Sequence, residues 1–251
     1  MTSLNESMAF YWKNDMLFTK RGTLPNESVS EWTTFYLQTR EAMPLPDKYE
    51  FGKFIATSMA FASKIKQVEV FVDQERILHF NRRGGDPKPI QDISRFSLAS
   101  PQRMFSLTSI GISQIQLDLN MANNCNYTVF MRVVEAELKV SIPRKLMEEM
   151  IRTTKKSAPN TTKMLILLSN FEEYDSTMQT TKGSKDLFQN LIPMPDRQGN
   201  VYIGFPTHQT TGSSISLAGH FIPTVERESI DFADKSLAVW NMELLSMAGL
   251  M

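Results

Sequence analysis

Residues 112–119, ISQIQLDL, and 127–142, YTVFMRVVEAELKVSI, decide the fold. In both runs apolar and polar residues alternate with a period close to two, which places apolar side chains on one face of a strand. Val, Ile, Tyr and Phe suit a half-buried pleated surface, so both segments are predicted as strands, the second long enough to bend. The segment between them, NMANNCNY, is rich in turn residues. A sheet therefore lies at the centre of the chain.

Pro143 follows the second strand, and residues 143–156 carry Leu146, Met147, Met150 and Ile151 on one helical face, with Lys155 and Lys156 at the end. Proline at the start and cations at the close fit a helix and its dipole. Residues 163–169, KMLILLS, read as a buried strand; 184–191 read as a short helix, and 200–205 as a further strand. The last pattern is the most regular. Ile230, Ala233, Leu237, Trp240, Leu244, Met247 and Met251 recur at steps of three and four, an amphipathic helix with Trp240 as a core anchor.

Toward the N-terminus, residues 8–20, MAFYWKNDMLFTK, read as two strands across an Asn14-Asp15 turn, and 32–37, WTTFYL, as another strand. Asp47, with Glu50 three residues on, resembles a capping box. It opens a helix of about five turns whose apolar face is Phe51, Phe54, Ile55, Met59, Ala62 and Ile65. Residues 67–72 (QVEVFV) and 76–80 (RILHF) form a hairpin about Asp73-Gln74. Residues 82–89, RRGGDPKP, with two glycines and two prolines, mark a linker over 82–92. The predicted fold class is α+β, with mixed or antiparallel sheets and packed helices in two regions, 1–81 and 93–251.

Twenty-seven Lys and Arg balance 27 Asp and Glu, and no basic run exceeds two residues, which argues against nucleic-acid binding. No apolar stretch approaches the roughly 18 residues of a membrane helix, and Lys13 and Asp15 interrupt any signal-peptide core. With a single cysteine, Cys125, no intramolecular disulfide forms. The chain reads as cytosolic or nuclear, so the Asn-x-Ser/Thr matches at Asn5, Asn26, Asn126 and Asn160 are incidental. Sixteen methionines suit an adaptable core or an adhesive surface.

Candidate chemistry is sparse. His79, His208 and His220 have no zinc spacing with Cys125, so no metal site is expected. His220, beside Phe221, reads as a strand residue whose ring takes a hydrogen bond. Glu172, Glu173 and Asp175 around Tyr174 read as a solvated acidic turn. Residues 204–231, GFPTHQTTGSSISLAGHFIPTVERESID, set a Thr/Ser/Gly-rich loop, a proline and Arg227, flanked by Glu226 and Glu228, just before the last helix. A cation at such a junction either reaches an anion in a neighbouring cleft or is an ordinary solvated charge.

Several stretches carry a family resemblance: YWKNDMLFTKRG, the strand opening Trp-Thr-Thr, the helix after it, VEVFVDQERI, EYDS, TTG and GHFIPTVERESIDFADKSLAVWN. Together they resemble the GHKL superfamily of ATPases, closest to the ninety-kilodalton heat-shock chaperones and sacsin-like proteins, and within these a large fungal group. The resemblance implies the end of a Bergerat-type ATPase sandwich followed by a middle region similar to the second domain of ribosomal protein S-five. It places Thr33 at the nucleotide-site threonine, with Trp32 where the family usually has glycine. It aligns Arg227, followed by Glu228, with the arginine that senses the terminal phosphate of ATP. The Asp-x-Gly-x-Gly loop and the asparagine helix that hold ATP and magnesium in the family are not in this sequence. The resemblance thus implies a truncated or split member, chaperone-like or scaffolding, that is not catalytic alone and binds no cofactor itself, ATP and magnesium belonging to a complete family member. Expected partners are a protein client or a second copy, with no nucleic acid and no membrane. The alternatives are a non-catalytic interaction domain and a gene fragment without activity of its own.

Overall fold

The computed structural model describes residues 2–4, 6–13, 16–23, 30–35, 41, 47–62, 64–91, 98–121, 125–180 and 198–251. The chain forms two compact units, Met1–Leu45 and Pro46–Met251. The first contains β1 (Thr2–Leu4), β2 (Glu6–Lys13), β3 (Met16–Thr23) and β4 (Ser30–Thr34), an antiparallel sheet in the order β3-β2-β1-β4. The predicted hairpin is present, with register from Glu6↔Thr23 to Lys13↔Met16. Its Asn14-Asp15 turn lies outside the described residues, as do positions 36 and 37 of the predicted third strand.

The second unit starts with α1 (Lys48–Phe61), β5 (Gln67–Val72), β6 (Glu75–Gly84) and β7 (Lys88–Pro89). It continues with β8 (Phe105–Met121), β9 (Cys125–Val140), α2 (Arg144–Thr154), β10 (Thr161–Leu168) and α3 (Phe171–Thr180). Beyond these lie β11 (Asn200–Tyr202), β12 (Pro206–Thr210), β13 (Ser216–Gly219) and α4 (Lys235–Ala248). The strands form one sheet in the order β12-β11-β13-β10-β9-β8-β6-β5, with β7 on β8. All pairs are antiparallel except β11 with β13, so the sheet is mixed and the class is α+β.

The central strands β8 and β9 are long enough to serve two cores on opposite faces. In β9 the odd residues Tyr127, Val129, Met131 and Val133 are buried with α1, while Val134, Ala136 and Leu138 face a second core with α2 and α4. Val133 and Val134 are therefore adjacent yet both buried, because a strand alternates faces and each face has its own cover. In β8, Ile115, Leu117 and Leu119 join the first core and Ile110 the second; a register shift between Leu107 and Ser109 brings Phe105 onto that second face.

Four local readings change. First, α1 is 14 residues, about four turns, and its buried hydrophobic side chains among the described residues are Ile55, Ala56, Met59 and Ala60. Phe54 is exposed, and Ile65 lies past the helix end, also exposed. The two small alanines let the helix lie close to the sheet. Second, residues 82–84 complete β6 against β8, and Lys88 and Pro89 pair with Ile112 and Gly111. Residues 82–90 of the predicted linker are thus strapped to the sheet rather than linking two units. A Cβ on Gly111 would stand 2.9 Å from the Pro87 side chain, so glycine there is what lets the strap close.

Third, the acidic turn is the first turn of α3. The Glu173 amide donates to Asn170 Oδ1 at 2.8 Å and the Asn170 amide donates to Glu173 Oε2 at 3.0 Å, a reciprocal cap. Beyond the end of β10, α3 lies along the edge of β9: the Phe130 amide donates to Thr177 Oγ1 at 3.0 Å, and Thr180 Oγ1 donates to the Thr128 carbonyl at 2.6 Å. Side-chain hydroxyls there replace the ladder of a missing strand. Fourth, α4 begins at Lys235, so Ile230 and Ala233 precede it, and Asp234 caps it by accepting from the Ser236 and Leu237 amides. The predicted helix at 184–191 lies outside the described residues. No described helix is long and apolar enough to cross a membrane.

Candidate functional site

Residues 220–234 connect β13 to α4 and carry Arg227. The base of this segment is closed by Asn241, on α4 and wholly buried. Its Oδ1 accepts from the Ile222 amide at 2.8 Å, and its Nδ2 donates to the carbonyls of Ile222 and Asp231 at 2.9 and 2.8 Å. Pro223 and Ile230 form a bridge, the Thr224 amide donates to the Ser229 carbonyl, and the Arg227 amide donates to the Thr224 carbonyl. Arg227 sits at φ +61°, a left-handed conformation that a non-glycine residue holds only when its surroundings impose it.

The side of the loop is stapled to β12. The His208 amide donates to the Glu228 carbonyl at 2.8 Å, and the Ile230 amide donates to Gln209 Oε1 at 3.0 Å. At the tip Val225, Glu226 and Arg227 are exposed. This is a backbone-bonded loop that presents one cation between two acids to the outside. Glu228 faces His208 across 3.9 Å, a pair too exposed to hold much energy.

Of the other residues named from the sequence, Thr33 is exposed on β4 in the first unit. His220 has its ring bond, Nδ1 lying 2.6 Å from Thr162 Oγ1. His79 Nδ1 is 3.4 Å from Asn120 Nδ2 on the polar side of β6 and β8. Cys125 is the first residue of β9, opposite Met121. The structure brings Glu228 to His208 and does not gather the three histidines. Among the described residues, no three of His, Cys, Asp and Glu converge on a point.

The Thr-Gly loop of the same stretch is knitted by Thr211. Its Oγ1 donates to the Ile215 carbonyl at 2.8 Å and accepts from the Ser213 amide at 3.3 Å, and Gly212 turns the chain at φ +73°. A Cβ on Gly199 would meet the Ile215 carbonyl oxygen at 1.9 Å, so this loop seats directly on glycine backbone. Burial pushes the phenol of the neighbouring Tyr202 up to about 12, against a smaller downward effect of its hydrogen bond with Ser216.

Sequence reading missed the polar residues of α4. Glu243, 3% exposed, accepts from Ser100 Oγ at 2.5 Å and from the Gln102 amide at 3.0 Å. It pins the turn that enters β8 as Asn241 pins the Arg227 loop. The available signal was an Asn and a Glu beside Trp240 and Leu244 in the middle of the apolar stripe, where burial requires a bonded partner.

A family model described as "Protein of unknown function (DUF3684)" matches residues 120–251, from the end of β8 through the Arg227 loop and α4. No curated protein and no solved structure shows a match. Because the matched segment is more than half of the 251 residues, the chain belongs to the DUF3684 family.

Proposed function

We propose that the chain is a sacsin-like, heat-shock-chaperone-like module that acts as a scaffold or client-binding unit, and that a nucleotide pocket, where one operates, is supplied from outside residues 1–251. In this reading residues 1–81 derive from the end of a Bergerat-type sandwich and residues 93–251 from the S-five-like middle region, with β5 and β6 of the former joined to the large mixed sheet. One observation carries the binding part. By register, Tyr11, Phe18 and Met16 lie on one face of the β2–β3 hairpin and Phe10 and Leu17 on the other, and all five are exposed. A sheet stable in water covers at least one apolar face. Here both are open, which suits a surface completed by another polypeptide.

The Arg227 loop supports the phosphate-sensing part, since its conformation is set by backbone bonds and not by the arginine side chain itself. A cation so presented needs no rearrangement to meet an anion. Without the glycine loop and the asparagine helix, however, nothing in the sequence cradles a triphosphate. Hence the chain is read as non-catalytic alone.

A second reading, an interaction domain that binds a copy of itself, rests on the same exposed hairpin. Light scattering after size exclusion separates the two. Concentration-dependent dimers that dissociate in a Tyr11→Ser/Phe18→Ser variant support self-association. A monomer that gains mass only with added client supports the scaffold, and a well-folded monomer that binds neither contradicts both.

A further inference from the structure

Beside the 85–89 strap, β8 and β9 form an open cleft of about 400 Å³, within the size range of small-molecule sites, lined by Gly85, Asp86, Lys88, Ser113, Gln114 and Arg132. Gln114 and Arg132 are direct cross-strand partners. Both reach the same atom: Arg132 Nε donates to Glu173 Oε1 at 2.5 Å and Gln114 Nε2 donates to it at 3.2 Å. Glu173 is 4% exposed, and its other oxygen accepts from the Asn170 amide. The carboxylate is therefore fully engaged and fixes the guanidinium through its Nε edge.

What is left over is the opposite end of the guanidinium. Arg132 is 37% exposed, and its bond to Glu173 uses Nε, leaving its two terminal nitrogens without a partner among the described residues. Those nitrogens form the planar fork that matches two oxygens of one anion. Lys88 brings a second cation to the same cleft, while Asp86 opposes with a negative charge. From this arrangement we propose that the cleft is a binding site for a small oxyanion, a carboxylate or a phosphate group, gripped end-on by Arg132 and assisted by Lys88. Asp86 weakens the grip and sets its selectivity. This site is separate from the Arg227 loop and does not depend on the chaperone-like reading.

Side-chain ¹⁵N spectra of arginine, recorded on the full chain while inorganic phosphate or succinate is titrated at low ionic strength, test it directly. Saturable movement of the Arg132 signals, with a midpoint on the order of 1 mM, is expected. Saturation by phosphate alone or by succinate alone identifies the source of the oxyanion. Arg132→Gln should weaken binding about tenfold or more, because a charge-assisted bidentate contact is lost. Since that change also leaves buried Glu173 short of a partner, two exposed positions decide the matter if the variant does not fold: Lys88→Ala should weaken binding several-fold, and Asp86→Asn should tighten it. Linear, unsaturated shifts that are alike for phosphate, succinate and chloride would overturn the proposal. So would equal affinity in the Lys88 and Asp86 variants.

Discussion

Arg227 shows how a conspicuous residue can matter little to the fold that carries it. Its side chain is exposed and its φ is left-handed, so Arg227→Ala should change stability by no more than about 0.5 kcal/mol, and Arg227→Gly should raise it by about 0.5–1 kcal/mol. Urea unfolding of the two variants checks both, and a collapse of the alanine variant would mark the residue as structural. Asn241 behaves in the opposite way. It makes three bonds from a fully buried position, so Asn241→Leu should cost about 3 kcal/mol, leaving the Ile222 amide and the Asp231 carbonyl unpaired while the Ile222 carbonyl keeps only its bond from the Asp231 amide. Hydrogen exchange at Ile222 should rise with it. Tyr202 supplies a pH signature. In the unfolded chain its phenol titrates near 10, whereas burial holds it at about 12 in the fold. The unfolded state then releases a proton first, so stability present below pH 10 is lost progressively up to about 12. Tyr202→Phe should flatten that part of the pH profile, and an unchanged slope would assign it to other groups.

At the scale of elements, α3 closes the edge that β10 leaves open along β9. Replacing Thr177 by Val keeps the shape but removes the acceptor for the Phe130 amide, and should cost about 1–3 kcal/mol, with faster exchange at Phe130 and not at residues of β10. Equal protection in the variant would mean that the helix does not protect this edge. What was readable beforehand follows from the physics of each element. The β8 and β9 strands, the β5–β6 hairpin and α2 follow from short-range periodicity, and the structure contains all of them. The acidic turn was misread because three charges in four residues suggest solvent, although the Asn170-x-x-Glu173 spacing is itself a capping box. The linker was misread because Gly and Pro mark both flexible joints and close crossings, and only the partner strand shows which applies. Nothing local reveals that Asn241 faces a loop rather than water, or that Arg132 shares a carboxylate with Gln114. Those contacts join residues 41 or 59 apart in the case of Glu173, and a single sequence carries no record of them.

At the scale of the whole molecule, two units divide the work differently. The mixed sheet of residues 46–251 has a core on each face, clamped by α1 on one side and by α2 and α4 on the other. The four-stranded sheet of residues 1–45 instead displays aromatic and aliphatic side chains on both faces of its hairpin. On the proposed account the larger unit is a self-sufficient platform that carries the Arg227 loop, and the smaller one is a surface for another polypeptide. A platform without a phosphate cradle should not hold a nucleotide by itself. Calorimetric titration of the isolated chain with magnesium-ATP is the most direct test of that claim: the account predicts no saturable heat, and micromolar affinity would contradict it.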